Sequence, residues 1–122
     1  MVRFQGNSVA IPDKNYDANA AVFTICAHSM DLTYNSDQIA AFRKTIEADK
    51  GVSNFAWDNK NFNDSYLVKM VKRDLLGARF MIEYFGEDNL DLWNGTSFTA
   101  MGTSMGGFQS IAVAALLDDV TG

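Results

Sequence analysis

The sequence is poor in the residues that most often announce chemistry or processing: it has one cysteine, one proline and one histidine in 122 residues. With Cys26 alone, no internal disulfide can form. The thiol lies in the apolar run from Ala21 to Ala27, where a buried, inert side chain is expected. A single proline excludes a Pro-rich linker or tail. No apolar run approaches the ~20 residues that span a bilayer. Met1 to Gly6 lack the long apolar region of a signal peptide, so a soluble chain without membrane partners is expected, its compartment open. Positive charge is also scarce. Fifteen acidic residues against ten basic ones give a net charge of −5, which repels phosphate backbones and argues against nucleic acid as a partner. The longest basic cluster, Lys69, Lys72 and Arg73, reads as the solvated face of a helix.

What is present fits one compact domain or part of one. Hydrophobic residues make up 48% of the chain and charged residues 20%, enough for a core and a covering surface. Val2-Arg3-Phe4 reads as the end of a strand, followed by a turn at Gly6-Asn7-Ser8. Residues 12 to 19 are polar loop or an irregular short helix. Ala20 to Ala27 is almost continuously apolar, as in a strand covered on both faces of a parallel sheet. A helix is expected from a Ser36 cap through Lys44 or beyond, with Ile39, Phe42 and Ile46 at helical spacing. Residues 51 to 63 have loop chemistry with Phe55, Trp57 and Phe62 interleaved. These aromatics either line an acyl or sugar pocket or plug the space beneath a long loop.

The strongest helical signal follows. Leu67, Met70, Val71, Leu75, Ala78, Ile82 and Phe85 form one stripe, with Asp64 as N-cap and Gly86 as terminator. Gly77 in the middle costs about 1 kcal/mol of helix propensity, which points to close packing there. Trp93 to Thr96 is a turn, and Ser97 to Met101 a short strand. After a tight turn, Phe108, Ile111, Ala112, Ala115 and Leu116 mark a further helical stripe. Strands alternating with helices argue an α/β fold with a parallel sheet.

Gly102-Thr103-Ser104-Met105-Gly106-Gly107 falls between an expected strand and an expected helix. An abrupt strand-to-helix turn forces unusual backbone angles on Ser104, and the small neighbours Gly102 and Gly106 relieve the crowding. Such a turn lifts the hydroxyl above the sheet edge. The helix that starts beside it aims amide protons, and the positive end of its dipole, at a developing oxyanion. The other readings are a Gly-rich packing turn and a phosphate loop. The second is disfavoured because no Gly-Lys-Ser/Thr ending and no acidic residue at dinucleotide spacing accompany it. No cofactor and no metal are expected.

The segment Trp93-Asn94-Gly95-Thr96 through Met101-Gly102-Thr103-Ser104-Met105-Gly106-Gly107-Phe108-Gln109-Ser110, closing with Leu117-Asp118-Asp119-Val120-Thr121, resembles the acetyl xylan esterase and cephalosporin-C deacetylase family of α/β hydrolases. Arg73-Asp74-Leu75 is similar to that family's helix before the elbow. Phe4-Gln5-Gly6-Asn7 resembles its oxyanion turn, and Ile25-Cys26-Ala27-His28-Ser29 its next strand. The resemblance implies a partial α/β-hydrolase domain over residues 1–122, with about three parallel strands flanked by helices. It implies Ser104 as nucleophile and the backbone N–H groups of Asn7 and Met105 as oxyanion donors. The family usually has Gln where Met105 stands and Tyr at Asn7; backbone donors survive both changes. Gly-x-Ser-Met-Gly-Gly also suits lipases and esterases of other α/β-hydrolase families.

In such enzymes the acid and the histidine follow the nucleophile. Only Asp118 and Asp119 do so here, and they are expected to be solvated charges at a helix end. His28, which precedes Ser104, is a candidate base but reads better as a structural or pocket-lining residue, with Trp57 as another pocket candidate. The expectation is a fragment that lacks two triad members and is inactive alone, drawn from an esterase acting on carbohydrate or other small acetyl esters. The alternative is a binding module on a hydrolase scaffold. Family order would put the oxyanion strand in the middle, the Ala20–Ala27 strand outside it and the strand ending at Met101 beside an absent neighbour, leaving the chain marginally stable alone. The natural ester and self-association of the full-length protein are left open.

Overall fold

The computed structural model describes residues 1–6, 9–12, 19–48, 57–85, 93 and 95–121. Expectations that fall on Asn7, Phe55, Gly86 and residues 13–18 lie outside the described residues. Three short strands, β1 (Val2–Phe4), β2 (Phe23–Ile25) and β3 (Ala100–Gly102), make one parallel sheet in the order β2-β1-β3. Among the described residues three helices accompany it: α1 (Ser36–Ala48), α2 (Tyr66–Phe85) and α3 (Met105–Leu116). The chain is thus an α/β arrangement with its first strand in the centre.

Alternation along the strands sorts the two faces of the sheet. Val2 and Phe4 point to the side where α2 and α3 pack, and form a core with Ile25, Ala78, Met81, Phe98, Val113 and Leu117. Arg3, Thr24 and Met101, in register with one another, take the opposite side. There they border a hollow of about 410 Å³ that also meets Ile11, Pro12 and Gly102. Among the described residues, β2 is therefore covered by helix on one face and not on both.

The helices begin where local hydrogen bonding allows. Asn35, not Ser36, caps α1: its side-chain oxygen accepts from the N–H groups of Asp37 (3.1 Å) and Gln38 (3.0 Å), while Gln38 Oε1 accepts from Asn35 N (2.9 Å). This reciprocal box satisfies donors that a helix start leaves open. Ile39, Phe42 and Ile46 do share the half-buried side of α1. Ser65, not Asp64, directly precedes α2, and its carbonyl accepts from Lys69 N at 3.0 Å. Asp64 instead lies 3.9 Å from the Lys69 ammonium, both groups being exposed. Gly77 meets β2 closely, as its place in the helix suggested: a Cβ there would stand 2.8 Å from Ile25 Cδ1.

The α3 stripe is reversed from expectation. Met105, Gly106, Gln109 and Val113 are buried, whereas Phe108, Ile111 and Leu116 are exposed. Apolar residues surround this helix, so spacing alone could not tell which side faces the sheet. After α3 the chain returns to the sheet. Phe98 bridges Val120 in parallel, with Phe98 N donating to the Asp119 carbonyl (2.9 Å) and Thr121 N to the Phe98 carbonyl (3.0 Å). Asp118 and Asp119 therefore lie past the helix, on the approach to this bridge. The chain just before β3 has its neighbour in residues 119–121, where an open edge was expected.

The stripe reading of α2 passed over two residues, Asp74 and Met81. Its buried line is Met70, Asp74, Ala78 and Met81, and Asp74 is 1% exposed. Neither carboxylate oxygen has a hydrogen-bond partner among the described residues. Burial pushes its pKa up from 3.8 to about 7, against the smaller opposing pull of the adjacent Arg73 guanidinium. The unfolded chain gives up this proton near pH 4 and the folded chain holds it to about pH 7. Folding stability should therefore fall as pH rises between those values and level off above them. The slope approaches 1.4 kcal/mol per pH unit and the total loss roughly 2–4 kcal/mol. Asp74→Asn should remove that slope and be the more stable protein at pH 8. Urea midpoints at pH 5 and pH 8 check this; equal pH dependence in both proteins would refute it.

Candidate active site

The sheet delivers β3 into a tight turn at Thr103-Ser104, and α3 departs at once from Met105. Ser104 holds φ 59° and ψ −122°, a combination otherwise almost confined to glycine and costly for a side chain with a Cβ. The turn is fixed from both sides. Gly106 N donates to the Thr103 carbonyl (3.0 Å) and Gly107 N to the Ser104 carbonyl (2.9 Å), while β3 is paired with β1 up to Gly102. Ser104 itself is exposed, and its hydroxyl caps nothing in the helix it precedes.

The flanking glycines have no room for a side chain. A Cβ on Gly106 would stand 2.3 Å from the Phe4 carbonyl oxygen, and one on Gly102 would stand 2.4 Å from the carbonyl carbon and oxygen of Gly106. Backbone thus lies on backbone where the end of β1, the end of β3 and the start of α3 converge. Gly6, in the turn after β1, also reaches the elbow: its Cβ would be 3.1 Å from the Thr103 carbonyl oxygen. The turn expected to carry an oxyanion donor therefore abuts the elbow, although Asn7 itself lies outside the described residues. Met105, the other expected donor, opens α3. Amides of a first turn project along the helix axis, and the helix dipole there favours negative charge. Its side chain is buried in a cluster with Ala27 and Met70.

His28 follows β2 and is 7% exposed. Its Nδ1 lies 2.6 Å from the Tyr66 hydroxyl oxygen. Trp57 is buried as well, its ring edge-on to Tyr66 at 5.0 Å and 77°. Phe62, by contrast, is 72% exposed. Arg73 also departs from the solvated face assigned to it, since its guanidinium donates to the Ala27 carbonyl at 2.6 Å and ties α2 to the end of β2. Cys26 is half-buried, not sealed in the core.

The hollow on the open sheet face reaches the elbow at Gly102 and Thr103, but Ser104 does not line it. It is a groove along the sheet and not the place where an acyl group would meet the hydroxyl. Sequence reasoning also passed over Gln109. It is fully buried one turn into α3, and its Nε2 donates to the carbonyls of Gln5 (2.9 Å) and Met105 (3.2 Å). The signal was available in the helical spacing, because Gln109 lies four residues after Met105 and four before Val113. Compared with protein-family models, curated proteins and solved structures, the chain matches none.

Proposed function

We propose that this chain carries the nucleophile elbow of a serine carboxylic-ester hydrolase, acetyl esterase-like, that removes acyl groups from carbohydrate or other small esters. The observation that carries the reading is Ser104: a non-glycine residue at φ 59°, ψ −122°, exposed between a parallel strand and the helix that begins with the next residue. Strain of this kind persists only where the surroundings enforce it. Here the enforcing contacts are Gly102 on Gly106 and Gly106 on Phe4. The central position of β1 and the approach of Gly6 to the elbow support the same reading, as does the resemblance to acetyl xylan esterases.

In the proposed reaction Ser104 Oγ attacks the acyl carbon, and its proton passes to a base. The amides of Met105 and Asn7 hold the oxyanion, the alcohol leaves with a proton, and water then releases the acid. In the family's chain order the acid and the histidine base come after the elbow. A fluorophosphonate probe should label the full-length protein at Ser104, located by peptide mass analysis, and should not label Ser104→Ala. A folded full-length protein that takes no label would instead be a binding module on this scaffold.

A further inference from the structure

Gln109 is the one polar side chain in the buried line of α3, among Met105, Gly106 and Val113. An aliphatic residue would fill the same space without the cost of desolvating an amide, and Gln109 Oε1 has no hydrogen-bond partner among the described residues. The nitrogen end is fully used. Its two hydrogens go to two carbonyl oxygens, Gln5 at 2.9 Å and Met105 at 3.2 Å. Reversing the amide would set Oε1 against both acceptors, so the neighbours fix its orientation.

The two carbonyls belong to two different elements that converge at the elbow. Gln5 leads from β1 into the turn at Gly6, and Gln5 N is still held to β2 by the Ile25 carbonyl at 3.1 Å. Met105 is the first residue of α3. Gly106, between Met105 and Gln109, already lies against Phe4, but that contact resists only approach. A hydrogen bond from the helix side chain to the strand also resists separation and sliding. We propose that Gln109 is a positioning residue, holding the first turn of α3 to the end of β1 at Gln5 so that the first amides of α3 meet the oxyanion. The proposal rests on Ser104 being the nucleophile.

An oxyanion forms only as the transition state is approached. Misplacing its donors should therefore lower kcat and leave ground-state binding largely alone. In the full-length protein, Gln109→Leu should reduce kcat on p-nitrophenyl acetate about 100-fold, with KM changed by less than about threefold. Affinity for a trifluoromethyl ketone, which is bound as a tetrahedral oxyanion, should fall by a similar factor. Gln109→Met, whose flexible side chain refills the volume, should behave alike and serves if the leucine variant does not fold. Either variant, folded by circular dichroism and keeping kcat within about threefold of the parent, would overturn the proposal. So would a loss in kcat with no loss of ketone affinity. Ser104→Ala is run alongside: activity that survives it refutes the nucleophile reading, whereas its loss with an intact Gln109→Leu refutes the positioning role alone.

Discussion

Ser104→Gly is expected to make the protein more stable by about 1 kcal/mol while abolishing the proposed ester hydrolysis. The backbone at φ 59°, ψ −122° costs a residue with a Cβ on the order of 1–3 kcal/mol. Glycine removes that cost but loses roughly 0.5–1 kcal/mol through the greater freedom of its unfolded chain. Ser104→Ala keeps the Cβ and therefore the strain. It should be as inactive as the glycine variant yet no more stable than the parent. The pair separates the hydroxyl, which the proposed reaction uses, from the bend that presents it. Urea unfolding of the three proteins, with turnover of an activated acetate ester, measures both. Equal stability of the glycine and alanine variants would mean that the bend stores no strain.

A larger loss is expected from one methyl group at position 106. In Gly106→Ala the new Cβ would lie 2.3 Å from the Phe4 carbonyl oxygen, 3.1 Å from its carbon and 3.2 Å from the Gln5 carbonyl carbon. All three are backbone atoms, so no side chain can swing away. Either α3 moves off β1 or the end of β1 leaves its register, and both undo the core around Phe4 and Val113. The expected cost is about 3 kcal/mol or more, with the proposed esterase activity lost in whatever remains folded. Gly107→Ala is the control one residue along. Among the described residues its Cβ would meet only the Gly102 carbonyl oxygen at 3.4 Å, an ordinary contact, and alanine gains up to about 1 kcal/mol of helix propensity. If the two variants melt together, the backbone contact at Gly106 does not decide the fold.

Much of this architecture is legible in the sequence. The bounds of β1, the strand-helix alternation and the length of α2 follow from apolar runs and helical spacing that other sequence features do not contradict. Caps were misplaced by one residue, because Ser36 and Asp64 look like caps in isolation. The reciprocal pair Asn35 and Gln38 is recognised only once the turn before α1 is known. For α3 the apolar pattern carried no direction, since nearly every position would tolerate burial. The sheet-facing side follows instead from the glycines, which show where backbone must touch backbone. Asp74 and Gln109 were missed for a common reason: a stripe read from apolar residues skips the polar members of the same stripe. The elbow was the most readable part of the candidate site, because a Gly-x-Ser-x-Gly string between strand and helix admits few geometries.

The central strand also dictates an order of assembly. Val2 pairs with Phe23 on one side and with Ala100 on the other. One partner is thus about twenty residues away along the chain and the other nearly a hundred. Contacts so distant in sequence form slowly, because a long loop must close before they yield anything. During synthesis β1 and β2 can meet early, but the second edge of β1 waits until α2 and the approach to β3 have left the ribosome. Through that interval an apolar strand is without its neighbour, a condition that invites association between nascent chains and favours chaperone capture.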